Sequence, residues 1–294
     1  MVDQTTGETT SHATRPPKNS GKVAGYNPAP EKLLDGPPKD AGQSIGYKLS
    51  AIIITKNEAD NIRACLESVA WADEIIVVDS GSSDGTVNIC KALGAQVHIT
   101  ADWPGFGLQK NRALSYATGE WVLSLDADER VTPELRSEVE AALNDPHGHA
   151  AFRMPRLSSF CGRYMRHSGW HPDYVTRLFH RGAASFSDDL VHERLIVNGS
   201  VGKLRQSILH ETFHDLDELL TKINRYSTAG AFMLNEKNKT ATLKKAVGHA
   251  FWAFFRTYIL RAGFLDGREG FMLAVATAES TYYRYAKLML LNKR

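Results

Sequence analysis

From Tyr47 onward, apolar runs of strand length alternate with stretches whose apolar residues recur every three or four positions. Residues 49–55 (LSAIIIT) are rich in β-branched side chains with no polar alternation, the pattern of a strand covered on both faces. Ile62, Leu66 and Val69 then keep helical spacing. Residues 74–78 (EIIVV) predict a second strand ending at Asp79, residues 80–86 (SGSSDGT) a loop and helix start, and residues 87–93 a helix closed by Gly94. A third strand falls at 96–99, a helix at 108–117 before Gly119, and a fourth strand at 121–125. Repeated strand–helix units of this length imply an α/β fold with a mostly parallel central sheet and helices on both faces. Ligands in such sheets bind beyond the carboxyl ends of the strands. Residues 55–58, 79–84 and 126–129, polar clusters far apart in sequence, all fall at that edge.

Beyond Pro133 the pattern is less regular. A helix fits 135–143, a strand 151–155, a glycine- and aromatic-rich loop 162–170, and strands 174–180 (YVTRLFH) and 201–209 (VGKLRQSIL). A helix starts near Asp215, with Asp215, Asp217 and Glu218 crowding its first turn, and the chain is helical from there to its end. Residues 243–260 place Val247, Phe251, Phe254, Phe255, Tyr258 and Ile259 on an apolar stripe, with Lys244, Lys245 and Arg256 off it. A last helix covers about 270–291. Residues 1–46 are polar and rich in Pro and Gly, too poor in apolar surface to offset chain entropy, and read as a disordered tail. The expected organisation is therefore a tail (1–46), an α/β domain (47–214) and a C-terminal helical region (215–294).

Composition narrows the classes. A chain of 294 residues with 43% hydrophobic content can bury a sizeable core. A formal charge of +2 argues against a dedicated nucleic-acid binder. Three scattered cysteines, Cys65, Cys90 and Cys161, do not make a disulfide framework or a Cys-based zinc site, which points to a reducing cytoplasm. No signal-peptide pattern and no uninterrupted apolar segment of spanning length is visible, so neither secretion nor membrane spanning is expected. From Leu243 to the end, however, nine basic residues face three acidic ones beside Trp252, Phe254, Phe255, Tyr282 and Tyr283. Such helices suit an anionic membrane surface; packing on the α/β domain or on another subunit is the plainer use of the same pattern.

The chemistry gathers at residues 121–131 (WVLSLDADERV), where a buried strand stops abruptly in Asp126, Asp128 and Glu129. Residues two apart in an extended chain point the same way, so Asp126 and Asp128 are expected to share one space. Paired carboxylates repel unless a cation lies between them or one is protonated, and a hard ion such as Mg²⁺ or Mn²⁺ meets that need. A solvated turn is the bland reading of the same tripeptide. There is no glycine fingerprint for a dinucleotide and no P-loop lysine; the first turn, TKNEADN, is instead rich in carboxylates and amides able to hydrogen-bond a base and ribose.

The set LSAIIITKNEADNI, IIVVDSGSSDGT, GLQKNRAL and GEWVLSLDADE, in this order and spacing, resembles the family 2 glycosyltransferases of GT-A fold. VHE at 191–193 and GFLDGREGFMLA at 263–274 resemble the lipopolysaccharide-core members. That resemblance implies an inverting hexosyltransferase using a nucleotide sugar such as UDP-glucose and a lipid-linked acceptor, acting at the cytoplasmic face of a bacterial inner membrane. It implies that Thr55, Asn57, Glu58 and Asp79 line the nucleotide pocket, with Asp79 meeting the uracil. Lys110 and Asn111 would stand near the diphosphate or sugar, and Asp126 and Asp128 would hold the metal. Glu193 is the implied base that deprotonates the acceptor hydroxyl, with Asp188 and Asp189 in reserve. Trp170, His171 and Tyr174 either stack on sugar or belong to the core.

Two readings of other classes compete. HETFH (210–214) fits the zinc-peptidase pattern, with His210 and His214 as ligands and Glu211 as base, but that chemistry needs a helix where the sequence reads as a strand. A non-catalytic sugar-nucleotide-binding membrane adaptor would use the same pocket without turnover.

Overall fold

The computed structural model describes residues 49–188, 193–213 and 215–292. The expected tail at 1–46, Asp189 and His214 lie outside the described residues.

The N-terminal half follows the predicted alternation: β1 (Leu49–Thr55), α1 (Ala59–Ser68), β2 (Glu74–Asp79), α2 (Thr86–Ala92), β3 (Gln96–Ile99), α3 (Phe106–Tyr116) and β4 (Trp121–Asp126). After a two-residue turn come β5 (Glu129–Val131), α4 (Pro133–Asn144), β6 (Ala151–Phe160), β7 (Arg163–Tyr164), β8 (Asp173–His180), β9 (Ala184–Phe186), β10 (Leu195–Val197), β11 (Val201–Lys203) and β12 (Ile208–Phe213). Three helices complete the chain: α5 (Leu216–Glu236), α6 (Leu243–Phe255), continued by a π-helical turn at Arg256–Leu260, and α7 (Gly267–Leu291).

The main sheet runs β3-β2-β1-β4-β8-β6-β12-β5, and β7 and β11 also pair with β6. Its first four strands are parallel, so β1, β2 and β4 end at one edge. β8 enters antiparallel between β4 and β6, and β12 runs parallel to β6. All seven residues of β1 are buried, as its unbroken apolar run required. Ala51 and Ile53 face a core shared with α1 and α4, through Ile62, Leu66, Leu135 and Val139. Ile52 and Ile54 face the opposite core with Ala113 of α3 and Phe179 of β8. α4 starts where Thr132 accepts a hydrogen bond from the Leu135 N–H at 3.1 Å, with Pro133 at its first position.

Two stretches differ from expectation. The strand predicted over 201–209 is broken into β11 and β12, which lie one after the other along β6. Between them Leu204 turns into the core, and the Glu138 carboxylate accepts from the N–H groups of Arg205 and Gln206 at 2.8–3.0 Å. β6 runs five residues past Pro155, which sits opposite the gap between β11 and β12, where that side of the ladder has no bond for its missing N–H to break.

The C-terminal helices share a core with the sheet. Phe160, Met165, Leu219, Ile223, Leu273 and Ala276 form one buried cluster, with Trp170 and Phe213 against it. Asp266, buried just before α7, reaches back to the 163–170 loop. It accepts from the N–H groups of Arg166 and His167 and from the Ser168 hydroxyl at 3.0–3.2 Å. Among the described residues, no helix is long and apolar enough to cross a membrane.

Candidate active site

The carboxyl ends of β1 and β4 open on a cavity of about 680 Å³. Its wall includes Thr55, Glu58, Asp126, Asp128, Glu193 and His210, with Trp103, Phe106 and Tyr226 toward solvent. Of the residues expected from sequence, Thr55, Glu58, Asp126, Asp128 and Glu193 are thus brought together. Thr55 is 4% exposed and its hydroxyl has no hydrogen-bond partner among the described residues. Burial pushes the Glu58 carboxyl above its ordinary value, against the lowering effect of the hydrogen bond from Asn61.

Asn57 and Asp79 serve the loops beside the cavity and are not in its wall. Asn57 adopts a positive φ of 56° and its side chain accepts from the Ser83 N–H at 2.8 Å, tying the β1–α1 turn to the β2–α2 turn. Asp79 is fully buried; its Oδ1 accepts from the N–H groups of Gly81 and Ser82 at 3.0 and 2.8 Å, and Oδ2 takes the Ser82 hydroxyl. Both Asp79 oxygens thus accept from the turn that Gly81 closes at φ 79°.

Lys110 is only 3% exposed and stands between two carboxylates, 2.9 Å from Asp126 Oδ1 and 2.9 Å from Glu193 Oε1. Its neighbour Asn111 does not face the cavity. Its amide both donates to the Phe186 carbonyl at 2.8 Å and accepts from the Phe186 N–H at 2.9 Å. α3 therefore holds β9 in place. Gly107 permits the contact, because a Cβ there would lie 1.8 Å from the Ser187 carbonyl oxygen. Asp188 is exposed and absent from the cavity wall.

Asp126 and Asp128 reach the same cavity but face different partners. Asp126 Oδ2 is 2.5 Å from Arg177 Nη2, so both its oxygens are occupied by cations. Burial alone would raise the Asp126 carboxyl; Arg177 and then Lys110 overcome that and hold it far below the usual carboxylate range. The same Arg177 nitrogen lies 2.6 Å from Glu129 Oε1, and Glu129 Oε2 accepts from the Asp126 N–H at 3.0 Å. Burial raises the Glu129 carboxyl, with Arg177 opposing. Removing one member of such a buried network leaves a charge uncompensated. Arg177→Met is therefore expected to destabilise the fold by about 3–5 kcal/mol, read as a lower midpoint of urea denaturation. An unchanged midpoint would show that water solvates these carboxylates.

Asp128 faces His210 instead, with Oδ2 3.3 Å from Nε2. The pairing follows from the sheet: β5 and β12 put Glu129 opposite His210, and the Glu211 N–H donates to the Asp128 carbonyl at 2.9 Å. Ser158 and Thr212 hydroxyls each lie 3.0 Å from His210 Nδ1, which orients the ring and leaves Nε2 toward the cavity. Among the described residues there is no group of three or more His, Cys, Asp or Glu that could hold a metal. This oxygen and this nitrogen stand together on the cavity wall. A hard dication held by one or two protein ligands and completed by phosphate oxygens fits such a pair. It does not fit Asp126, whose oxygens are already neutralised.

A second cavity of about 340 Å³ shares Arg156 and His210 with the first and is also lined by Ser158, Trp170, Asp173 and Thr212. Trp170 is a core residue on one side, 6.1 Å centroid to centroid from both Phe160 and Phe213, and a wall of this cavity on the other.

Residues 50–204 match the Glycosyl transferase family 2 profile, a span that runs from the second residue of β1 past β11 and takes in every cavity residue named so far except His210, Thr212 and Tyr226. The chain belongs to glycosyltransferase family 2. An uncharacterized glycosyltransferase of Rickettsia felis is 32% identical over 82% of this chain and 89% of its own length. The lipopolysaccharide core biosynthesis glycosyltransferase LpsC of Rhizobium meliloti is 32% identical over 81% of this chain and 93% of its own. A crystal structure of glucosyl-3-phosphoglycerate synthase from Mycobacterium tuberculosis, in complex with Mn²⁺, UDP and glucosyl-3-phosphoglycerate, aligns at 18% identity. It covers 59% of this chain and 75% of that one, with a TM-score of 0.41. The protein is thus a family 2 glycosyltransferase with the expected mixed α/β, largely parallel GT-A architecture and a C-terminal helical region.

Membership also disposes of the peptidase pattern. His210 and Glu211 lie on strand β12, not on the helix that a two-histidine zinc site requires. Glu211 accepts from the Ser159 hydroxyl at 2.7 Å and from the Tyr164 hydroxyl, so it is engaged as a sheet-end anchor rather than free as a base.

Four contributors were not singled out from sequence. Arg177 had a visible signal: an arginine inside an alternating apolar strand needs a buried counter-charge. His210 is not among the four, since the sequence reads it as a peptidase ligand or else as closing the end of the sheet near the diphosphate. Tyr226 lies on a helix assigned to a separate region, and the exposed pair Trp103 and Phe106, edge to face at 4.9 Å, lies in an irregular stretch.

Proposed function

We propose that this glycosyltransferase moves a sugar with inversion from a nucleotide sugar, UDP-glucose or a close relative, to a lipopolysaccharide inner-core or similar lipid-linked acceptor. The carrying observation is the cavity at the strand ends, where the unpartnered Thr55 hydroxyl, the Asp128–His210 pair and Glu193 share one wall. The acceptor class rests on the likeness to LpsC across most of both chains. The second cavity, joined to the first at Arg156 and His210, is the natural place for the acceptor sugar.

Asp128 and His210 would hold Mg²⁺ or Mn²⁺, which when bound neutralises charge on the departing diphosphate. Thr55 and Glu58 offer hydrogen bonds to the nucleoside. Glu193 removes the proton of the acceptor hydroxyl as its oxygen bonds to the anomeric carbon and the bond to the diphosphate oxygen breaks on the opposite face. Lys110 fixes Glu193 through its ion pair, and Asp126, held between Lys110 and Arg177, fixes Lys110. A lipid-linked acceptor places the enzyme peripherally at the cytoplasmic face of the inner membrane of a bacterium.

The test is to screen UDP- and GDP-sugars by calorimetry with and without Mn²⁺, then supply the tightest donor with core glycolipids. A metal-dependent UDP-sugar that is consumed only with glycolipid supports the proposal. A donor that binds and is never consumed supports the adaptor reading instead.

A further inference from the structure

α6, the π-helical turn and α7 form a hairpin whose inner face is made of small residues. His249 stacks on Tyr285 at 4.3 Å, and Ala246, Ala253, Thr257, Gly263, Gly270 and Ala274 are buried. Gly270 is indispensable to that fit, because a Cβ there would approach the Gly263 carbonyl oxygen to 1.9 Å. The large apolar residues point the other way. Phe251 is 71% exposed, Trp252 52%, Leu260 59%, Phe264 49% and Leu265 54%. A helix that only packs on its own domain buries its large apolar face and leaves the small or polar face to water. Here that order is reversed, along α6 from Leu243 and Val247 and on through the turn to Leu265.

The exposed charges that this segment itself carries are all of one sign. Between Leu243 and Phe271 the exposed charged residues are Lys244, Lys245, Arg256, Arg261 and Arg268. The two acids of the segment, Asp266 and Glu269, are buried, one taken up by the 163–170 loop and the other paired with Arg268. An apolar tip with aromatic side chains and a purely cationic rim complements a surface that is apolar within and anionic at its face.

We propose that the hairpin tip, from Phe251 to Leu265, is the membrane-docking surface of the enzyme. Phe264, Leu265 and Leu260 enter the boundary between headgroups and acyl chains, Trp252 sits at headgroup level, and the arginines meet lipid phosphates. This rests on the reading of a lipid-linked acceptor for its purpose, and it names the part of the chain that brings the catalytic cavity to the lipid.

The experiment is co-sedimentation of the full chain with vesicles of phosphatidylethanolamine and phosphatidylglycerol, free of any glycolipid, and with vesicles of phosphatidylcholine. The wild type is expected to sediment with the anionic vesicles and far less with the neutral ones. Phe264→Asp/Leu265→Asp is expected to weaken that binding at least about tenfold, since withdrawing two such side chains from lipid exceeds the 1.4 kcal/mol that a factor of ten represents. Lys244→Glu/Arg256→Glu, which leaves the apolar tip intact, is expected to weaken it as well and to make the residual binding less sensitive to salt. UDP binding measured on the same samples stays at the wild-type level in both variants. The proposal is overturned if the wild type ignores anionic vesicles, if it binds neutral ones equally, or if both variants sediment like the wild type. It is equally overturned if light scattering shows a wild-type dimer that the tip variant dissolves, because the patch is then an interface between two copies. Failure of the wild type to bind any nucleotide would instead count against the donor assignment and leave the vesicle result standing.

Discussion

Replacing Asp128 by alanine is expected to abolish sugar transfer while leaving the protein folded. The carboxylate is 30% exposed on the cavity wall, and its described side-chain partner is His210, so its removal strands no buried charge. Its loss deprives the diphosphate of one of the two groups that would hold the neutralising ion. Charge stabilisation of that kind is worth several kcal/mol, about three orders of magnitude in rate. The measurement is twofold: initial rates of transfer, and calorimetry of UDP with and without Mn²⁺. Asp128→Ala should make UDP binding indifferent to Mn²⁺, and a variant that keeps both its Mn²⁺ response and its turnover would remove Asp128 from the metal site. His210→Ala should reproduce the binding defect, whereas Asp126→Asn should not, since Asp126 already has both oxygens on Lys110 and Arg177.

Glu193→Gln tests a different step. The amide keeps the shape and can still accept a hydrogen bond from Lys110, so donor binding should be unaltered. It can no longer take a proton from the acceptor, and turnover should fall on the order of 10²- to 10⁴-fold. Turnover near the wild-type level would move the base elsewhere on the cavity wall. Lys110 makes this comparison informative, because it remains paired with Asp126 when the second carboxylate is neutralised.

The parallel half of the fold was legible because its strands are buried on both faces, which leaves an unbroken apolar run that ends where the chemistry starts. β1, β2 and β4 fall at their predicted positions for that reason, whereas β3, an edge strand with Gln96 and Ile99 exposed, is found from its place in the strand–helix alternation. The same logic located Thr55, Glu58, Asp126 and Asp128 at the cavity. Partners within the site were not legible. Period-two alternation predicts that Asp126 and Asp128 share a side, but the strand stops at Asp126 and the following turn aims Asp128 at β12. Nothing local to residues 121–131 reveals that β8 slips between β4 and β6 carrying Arg177, or that β5 lies against His210. Those contacts depend on the order of strands across the sheet, a long-range property. Asn111 and Asp79 show the converse: short polar side chains beside a pocket that satisfy backbone groups instead.

The buried seam between the sheet and the last helices sets the unit in which this enzyme can be cut or recombined. A chain ending at residue 214 would uncover Phe160, Trp170 and Phe213 together and leave the Arg166 and His167 amides without the Asp266 carboxylate. Hybrids between relatives that exchange only the C-terminal helices would break the same joint. The 163–170 loop and the 263–270 turn have to travel as a pair, so a change of acceptor preference is best sought by grafting both.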